Sequence, residues 1–357
     1  MTIEHTPQHF VMLAAHFPPA LQKDLVELTA DLGFGLIPTD TDSFISGERH
    51  CELFPHHRPL FAQNKKDIEG AHVHIVMSME QDPNAFFVDT LNAIETIKDY
   101  NPAHIHVILP FVPYARQDRD FENRFVSKMG LNFPKYLKAA GANTITTCDV
   151  HSKAAEDAYI THFGEQNVQF LSMVPYLYEA AKELIPEHAQ IKVGAPDGAD
   201  KPHDMAQQRA HDFATLLTCN NTTADDHMFF ISKTHEGVNK TRVTGFKGDV
   251  TDAYAIEVDD MTDTGGTLVN GAETLKQYGA QKVIAAVTHP IFSGETLRDL
   301  TCDAIHGRPN GIDFIVTSDS ITSIHRKRDK LSPMRQERVK IVSTVPLIKK
   351  ALTHNFK

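Results

Sequence analysis

Three carboxylates and a pair of glycines lie close together in residues 257–268, EVDDMTDTGGTL. Asp259 and Asp260 end an apolar run, 253–258 (AYAIEV), and Asp263 follows. Thr264, Gly265, Gly266 and Thr267 then lead into a helical pattern over 268–278. A strand that opens through glycines into a helix start leaves backbone N–H groups pointing outward. Those donors, two threonine hydroxyls and the positive end of the helix form a cradle for phosphate. The acids beside it can accept hydrogen bonds from sugar hydroxyls, or hold Mg2+ through water. The segment suits a molecule that is a sugar at one end and a phosphate at the other. Gly-Gly after a strand is by itself ordinary turn chemistry. The order strand, double acid, third acid, Gly-Gly-Thr, helix carries the reading.

A second candidate is 110–120, PFVPYARQDRD, which directly follows the β-branched run 104–109. In open α/β sheets ligands sit beyond the carboxyl ends of the strands. Arg116 and Gln117, placed there, can stack on and hydrogen-bond a purine or its phosphates.

The elements that must position these residues follow from alternation along the chain. Strands are expected at 72–77, 104–109, 143–148, 191–195, 228–232, 253–258, 282–288 and 314–317. Helices are expected at 84–99, 127–140, 173–184, 204–217 and 267–278. Strand and helix in alternation imply right-handed parallel crossovers and hence doubly wound α/β sheets. So many strands suit two sheets in tandem better than one. The expected division is an N-terminal domain, 1–165, carrying the Arg116-Gln117 loop, and a C-terminal domain, 166–344, carrying the sugar-phosphate loop. The terminal helix, 345–357, is expected to pack on the first.

The 357 residues are enough for two ordinary domains, and 41% hydrophobic with 23% charged residues is the balance of a soluble globular chain. No apolar run approaches the ~20 residues of a membrane span, and the N-terminus does not read as a signal peptide. The four scattered cysteines, with no CxxC pair, fit a reduced, cytoplasmic setting better than a disulfide or zinc framework. A net charge of −11 argues against general nucleic-acid binding. Anionic substrates must then be held by local basic residues or by metal. The 21 histidines show no HExxH or similar metal spacing and, taken singly, read as surface residues.

The segment 257–268 resembles the phosphoribosyl-pyrophosphate loop shared by type I phosphoribosyltransferases and ribose-phosphate pyrophosphokinases, and does not choose between them. YARQDR (114–119) resembles the nucleotide-binding loop of the pyrophosphokinases alone, and so separates the two. CDVHS (148–152) and APDG (195–198) resemble two strand-end motifs of that family. The resemblance implies that His151 and Asp197 share the Mg2+ that accompanies ATP. THPIFSG (288–294) resembles the segment after the family's next strand. FISGE (44–48) resembles a loop whose Phe44 and Glu48 would reach the adenine of a neighbouring subunit, implying a homo-oligomer. The likeness runs from about 42 to about 352. It implies two tandem, mainly parallel sheets of type I phosphoribosyltransferase-like topology. It also implies Mg2+-dependent transfer of the diphosphoryl group of ATP to the anomeric hydroxyl of ribose 5-phosphate. Asp259, Asp260 and Asp263–Thr267 would bind the ribose phosphate, Arg116 and Gln117 the ATP, and Lys233 and His235 would be catalytic.

The departures fall on chemistry. In ISKTHEG (231–237) Lys233 matches the family's mobile loop, but His235 stands where an arginine is expected. Histidine is only partly charged at pH 7 and cannot bind two oxygens at once. Lys240 and Arg242 are close enough in sequence to substitute. Ser46 replaces an aspartate, Asp120 a basic residue and Phe121 an acid. The stretch after Asp197, GADKPHDMAQQRA, lacks the paired glycines of the family's pyrophosphate turn. A basic insertion, 325–340, reads as a solvated or interface loop. These changes leave two further readings: a pyrophosphokinase for a larger ribose-5-phosphate ester such as ADP-ribose, or a catalytically weak regulatory paralogue.

Overall fold

The computed structural model describes residues 9–54, 67–80, 82–120, 125–196, 205–218, 222–237, 240–305, 308–309 and 311–356. The chain divides into two compact units, Met1–Leu171 with Ser343–Lys357, and Ser172–Val342.

The first unit is built on six parallel strands in the order Gly35–Ile37, His9–Leu13, His72–Val76, His104–Leu109, Thr144–Cys148 and Val168–Leu171. The inner strands are buried on both faces, which is why they read as continuous β-branched runs. Val11, Leu13, Val76 and Ile108 form one core with Leu21, Leu25 and Leu28 of the helix Pro19–Asp31, and with Ile348, Ala351 and Leu352 of the C-terminal helix Val345–Leu352. Asp82 caps the helix Pro83–Lys98 by accepting from the N–H groups of Asn84 and Ala85, with Pro83 preset at its first turn. Ser152 likewise caps Lys153–Phe163 through the Ala155 N–H.

The second unit has five parallel strands, in the order Val339–Val342, Phe314–Ser318, Lys282–Pro290, Tyr254–Thr262 and Ile191–Gly194. Its core gathers Ala255, Val283, Ala285, Val287 and Ile315 with Leu268, Ala272 and Leu275 of the helix Gly266–Gln277. Two parallel sheets in tandem are the expected fold class.

Three local expectations change. The strand expected at 253–258 continues to Thr262, so Asp259 and Asp260 lie inside it. Residues 228–232 and the segment beyond form an antiparallel hairpin, Phe230–Gly237 with Lys240–Lys247, where a mobile loop was expected. The basic insertion is no solvated loop. It folds into the helices Ser323–Asp329 and Pro333–Gln336 and the last strand. Its cations satisfy main-chain carbonyls: Arg338 donates to the carbonyls of Asp313 and Thr301, at 3.0 and 2.9 Å, and Arg328 to that of Val339 at 3.1 Å. Among the described residues no helix is long and apolar enough to cross a membrane.

Candidate functional site

In the second unit the strand Tyr254–Thr262 delivers its acids to its carboxyl end beside the helix Gly266–Gln277. Gly265 supplies the turn between them. Its φ of +74° is left-handed, and a Cβ there would lie 2.8 Å from Leu300. No side chain caps this helix. A helix start of this kind favours negative charge beside it. Gly266 and Thr264 are exposed, and Asp263 and Thr267 half-buried.

The two adjacent acids differ. Asp260 is 2% exposed and accepts from the Arg209 guanidinium at 2.9 Å, a pair closed off from solvent on both sides. Asp259 is partly exposed and accepts the Asp260 backbone N–H at 2.9 Å. Burial and then the neighbouring Asp260 charge push the Asp259 carboxyl well above the usual carboxylate range. The structure thus separates a fully enclosed, ion-paired acid from one only partly enclosed. Arg209, on the helix Met205–Thr215, did not emerge from sequence reasoning. The only signal was an arginine among otherwise apolar-phase positions of a predicted helix.

The turn 263–267 is held from its other side. The N–H groups of Phe292 and Ser293 donate to the carbonyls of Thr262 and Asp263, both at 3.1 Å. Lys233 and His235 sit on the hairpin strand Phe230–Gly237. The register sets Thr234 opposite Arg242 and His235 opposite Thr241, so Arg242 is a backbone neighbour of the lysine–histidine pair. Their side chains lie outside the described residues.

In the first unit the strand His104–Leu109 leads into a turn closed by the Gln117 N–H on the Tyr114 carbonyl at 2.8 Å. Tyr114 adopts φ 60°, and its hydroxyl donates to Asn84 at 2.6 Å. That anchoring leaves Arg116 and Gln117 exposed at the strand's carboxyl end, while Asp118 is buried. Phe44 and Glu48 lie at the tip of the hairpin Thr39–Ser43/Arg49–Leu53. Phe44 stacks on His50 at 4.9 Å, and Ser46 donates to Glu48 at 2.9 Å. Phe44 and Ile45 remain strongly exposed.

His151 is half-buried just beyond the strand Thr144–Cys148, and Asp197, its expected partner, lies outside the described residues. Among the described residues no group of three or more His, Cys, Asp or Glu could hold a metal ion. Mg2+ is a hard cation that prefers oxygen. An imidazole such as His151 would hold it only together with oxygen donors, water and phosphate among them.

Two family models match the chain: the N-terminal domain of ribose phosphate pyrophosphokinase over residues 23–141, and the phosphoribosyl synthetase-associated domain over residues 202–353. A ribose-phosphate pyrophosphokinase of Aquifex aeolicus is 28% identical over 91% of this chain and 90% of its own length. That of Haemophilus ducreyi is 30% identical over 79% of this chain and 83% of its own length. The crystal structure of phosphoribosylpyrophosphate synthetase from Mycobacterium smegmatis superposes with a TM-score of 0.73 at 22% identity, covering 97% of both chains.

Proposed function

This chain belongs to the ribose-phosphate pyrophosphokinase family, and from that premise we propose that it transfers the diphosphoryl group of ATP to the anomeric hydroxyl of ribose 5-phosphate. The observation that carries the reading is the uncapped N-terminus of Gly266–Gln277 beside Asp259. A helix start of this kind favours an anion, and Asp259 lies near the end of the strand that leads into it. The 5-phosphate would sit on the turn 263–267, receiving the N–H groups of the first helical turn.

Asp259 would bond the ribose hydroxyls, and a carboxyl that retains its proton can donate as well as accept there. Asp260, enclosed with Arg209, would act by holding the strand end and by setting the state of Asp259. In the first unit Arg116 and Gln117 would bind the nucleotide, with Phe44 and Glu48 of a second copy completing the adenine site. The exposed Phe44 and Ile45 favour such self-association.

The ribose hydroxyl oxygen attacks the β-phosphorus, the bond from that phosphorus to the bridging oxygen breaks, AMP leaves with that oxygen, and the hydroxyl proton passes to solvent. Charge builds on the phosphate oxygens as this happens. Lys233, with His235 two residues along the same strand, would supply the protein's cations for it. Mg2+, for which the family resemblance names His151 and Asp197, would supply charge neutralisation on the phosphates.

The test is mass spectrometry of products from the purified protein with ATP, Mg2+ and either ribose 5-phosphate or ADP-ribose. Phosphoribosyl pyrophosphate and AMP in the first mixture support the reading. A product only with ADP-ribose moves it to the larger ester, and no product with either overturns it.

A further inference from the structure

Lys327 belongs to the basic stretch that the proposed reaction leaves unused, and its side chain is turned onto the loop that borders the sugar-phosphate turn. Its ammonium donates to the carbonyls of Ile291 and Phe292, at 2.6 and 3.0 Å. Those residues form the loop whose next two N–H groups hold the carbonyls of Thr262 and Asp263. Phe292 is fully buried and adopts φ 40°, a backbone state that a bulky side chain rarely takes. Two charge-assisted bonds to adjacent carbonyls compensate that cost and fix the direction in which both peptide planes point. Through the bonds to the Thr262 and Asp263 carbonyls the loop 291–293 is tied to the start of the turn.

Charge gives a second reason. Burial and then the neighbouring Arg326 charge lower the Lys327 pKa, and Asp263 acts in the opposite direction, so the ammonium and that carboxylate feel one another. The turn carries Asp263, just beyond the strand that holds Asp259 and Asp260, and a bound phosphate would add negative charge. Arg209 is committed to Asp260. An ammonium has three donors. Two go to the carbonyls of Ile291 and Phe292.

The helix that carries Lys327 is itself fixed. Ile324 is fully buried, and Arg328 on the same helix is bound to the Val339 carbonyl at 3.1 Å.

We propose that Lys327 is a positioning residue for the sugar-phosphate site, clamping the loop 291–293 against the turn 263–267 and offsetting the charge of the 5-phosphate. The inference rests on the reading of that turn as the ribose-phosphate cradle.

Lys327→Gln, Lys327→Met and Lys327→Arg would be compared with the unaltered protein in steady-state kinetics, and by calorimetric binding of ribose 5-phosphate and of ribose. The glutamine variant is expected to raise KM for ribose 5-phosphate about tenfold, the scale of losing bonds from a charged donor. KM for ATP should stay within about twofold, and the arginine variant should recover most of the loss. The methionine variant keeps the aliphatic stem packed, so a folded protein with the same selective defect separates charge from packing. Binding of ribose, which lacks the phosphate, should be unaffected.

An unchanged KM for ribose 5-phosphate in folded glutamine and methionine variants overturns the proposal, as does an equal rise in both KM values. If the unaltered protein makes no product yet binds ribose 5-phosphate, and that binding weakens in the glutamine variant, the activity reading fails and the role of Lys327 stands. If the unaltered protein does not bind ribose 5-phosphate, both fail.

Discussion

Acidification from pH 7.5 to 5 should destabilise the first unit through its sheet-face histidines. His9, His74 and His106 form a hydrogen-bonded row across three neighbouring strands. The distances are 3.0 Å from His9 Nδ1 to His74 Nε2, 3.0 Å from His74 Nδ1 to His106 Nδ1, and 2.9 Å from His106 Nε2 to Thr146 Oγ1. Thr146 gives its only hydroxyl proton to Gln169 at 3.0 Å. His106 must therefore donate to Thr146, His74 to His106, and His9 to His74, with every ring neutral. His72 and His104 stack beside the row at 5.4 Å, and Phe356 lies 4.8 Å from the His106 ring. Burial, reinforced by the neighbouring histidines, lowers the His74 pKa to about 3 and holds His106 well below its usual value.

Both folded-state values are depressed from 6.5, so the stability they confer is complete above that pH and is lost as pH falls towards the folded values. At pH 5 the unfolded chain has gained about 1.5 units of protonation free energy at His74, or about 2 kcal/mol, and His106 adds to the loss in the same direction. That is a large share of an ordinary domain's 5–15 kcal/mol. Urea-unfolding midpoints measured between pH 7.5 and 5 would show the loss, in a window above most carboxylate titration. A His74→Gln/His106→Gln variant keeps donors and acceptors but cannot titrate. It should start less stable and lose much less on acidification. A midpoint equivalent to less than about 1 kcal/mol of change in the unaltered protein, or an equal loss in the variant, would refute the reasoning.

Arg209→Met leaves Asp260 as a buried carboxylate without its guanidinium, and should cost about 3–5 kcal/mol in urea unfolding. Adding Asp260→Asn should recover part of it, and no recovery would mean the pair is not the cause. Gly271→Ala places a Cβ 1.7 Å from the buried Glu257 Oε1 and should cost about 1–3 kcal/mol of overpacking, read as a lowered thermal midpoint. Lys233→Ala should reduce kcat far more than KM, whereas Asp263→Ala should chiefly raise KM for ribose 5-phosphate. Full activity of both variants with ribose 5-phosphate and with ADP-ribose would remove these residues from the site.

Local signals located some parts of this molecule and were blind to others for definable reasons. The strand His104–Leu109 and the turn after it were legible because a buried parallel strand is a continuous β-branched run and Pro113 and Arg116 mark where it stops. The strands Gly35–Ile37, Val168–Leu171 and Val339–Val342 were not, since three or four residues at or near a sheet edge carry too little periodicity. Asp259 and Asp260 looked like the end of a strand because unpaired carboxylates do not belong inside one. The strand continues through them because Arg209, far away in sequence, neutralises Asp260.

The same limit applies to the cations of 325–340. Charge is visible in a sequence, but the acceptors of Lys327, Arg328 and Arg338 are largely backbone carbonyls, which every residue carries. The histidines did leave a signal. HVH and HIH occupy the same phase of two predicted neighbouring strands, and in-register pairing sets His72 against His104 and His74 against His106. Period-two spacing on both strands requires all four rings to share one face. A row of imidazoles on a covered face must be neutral and mutually bonded, because a charged one could not be desolvated there.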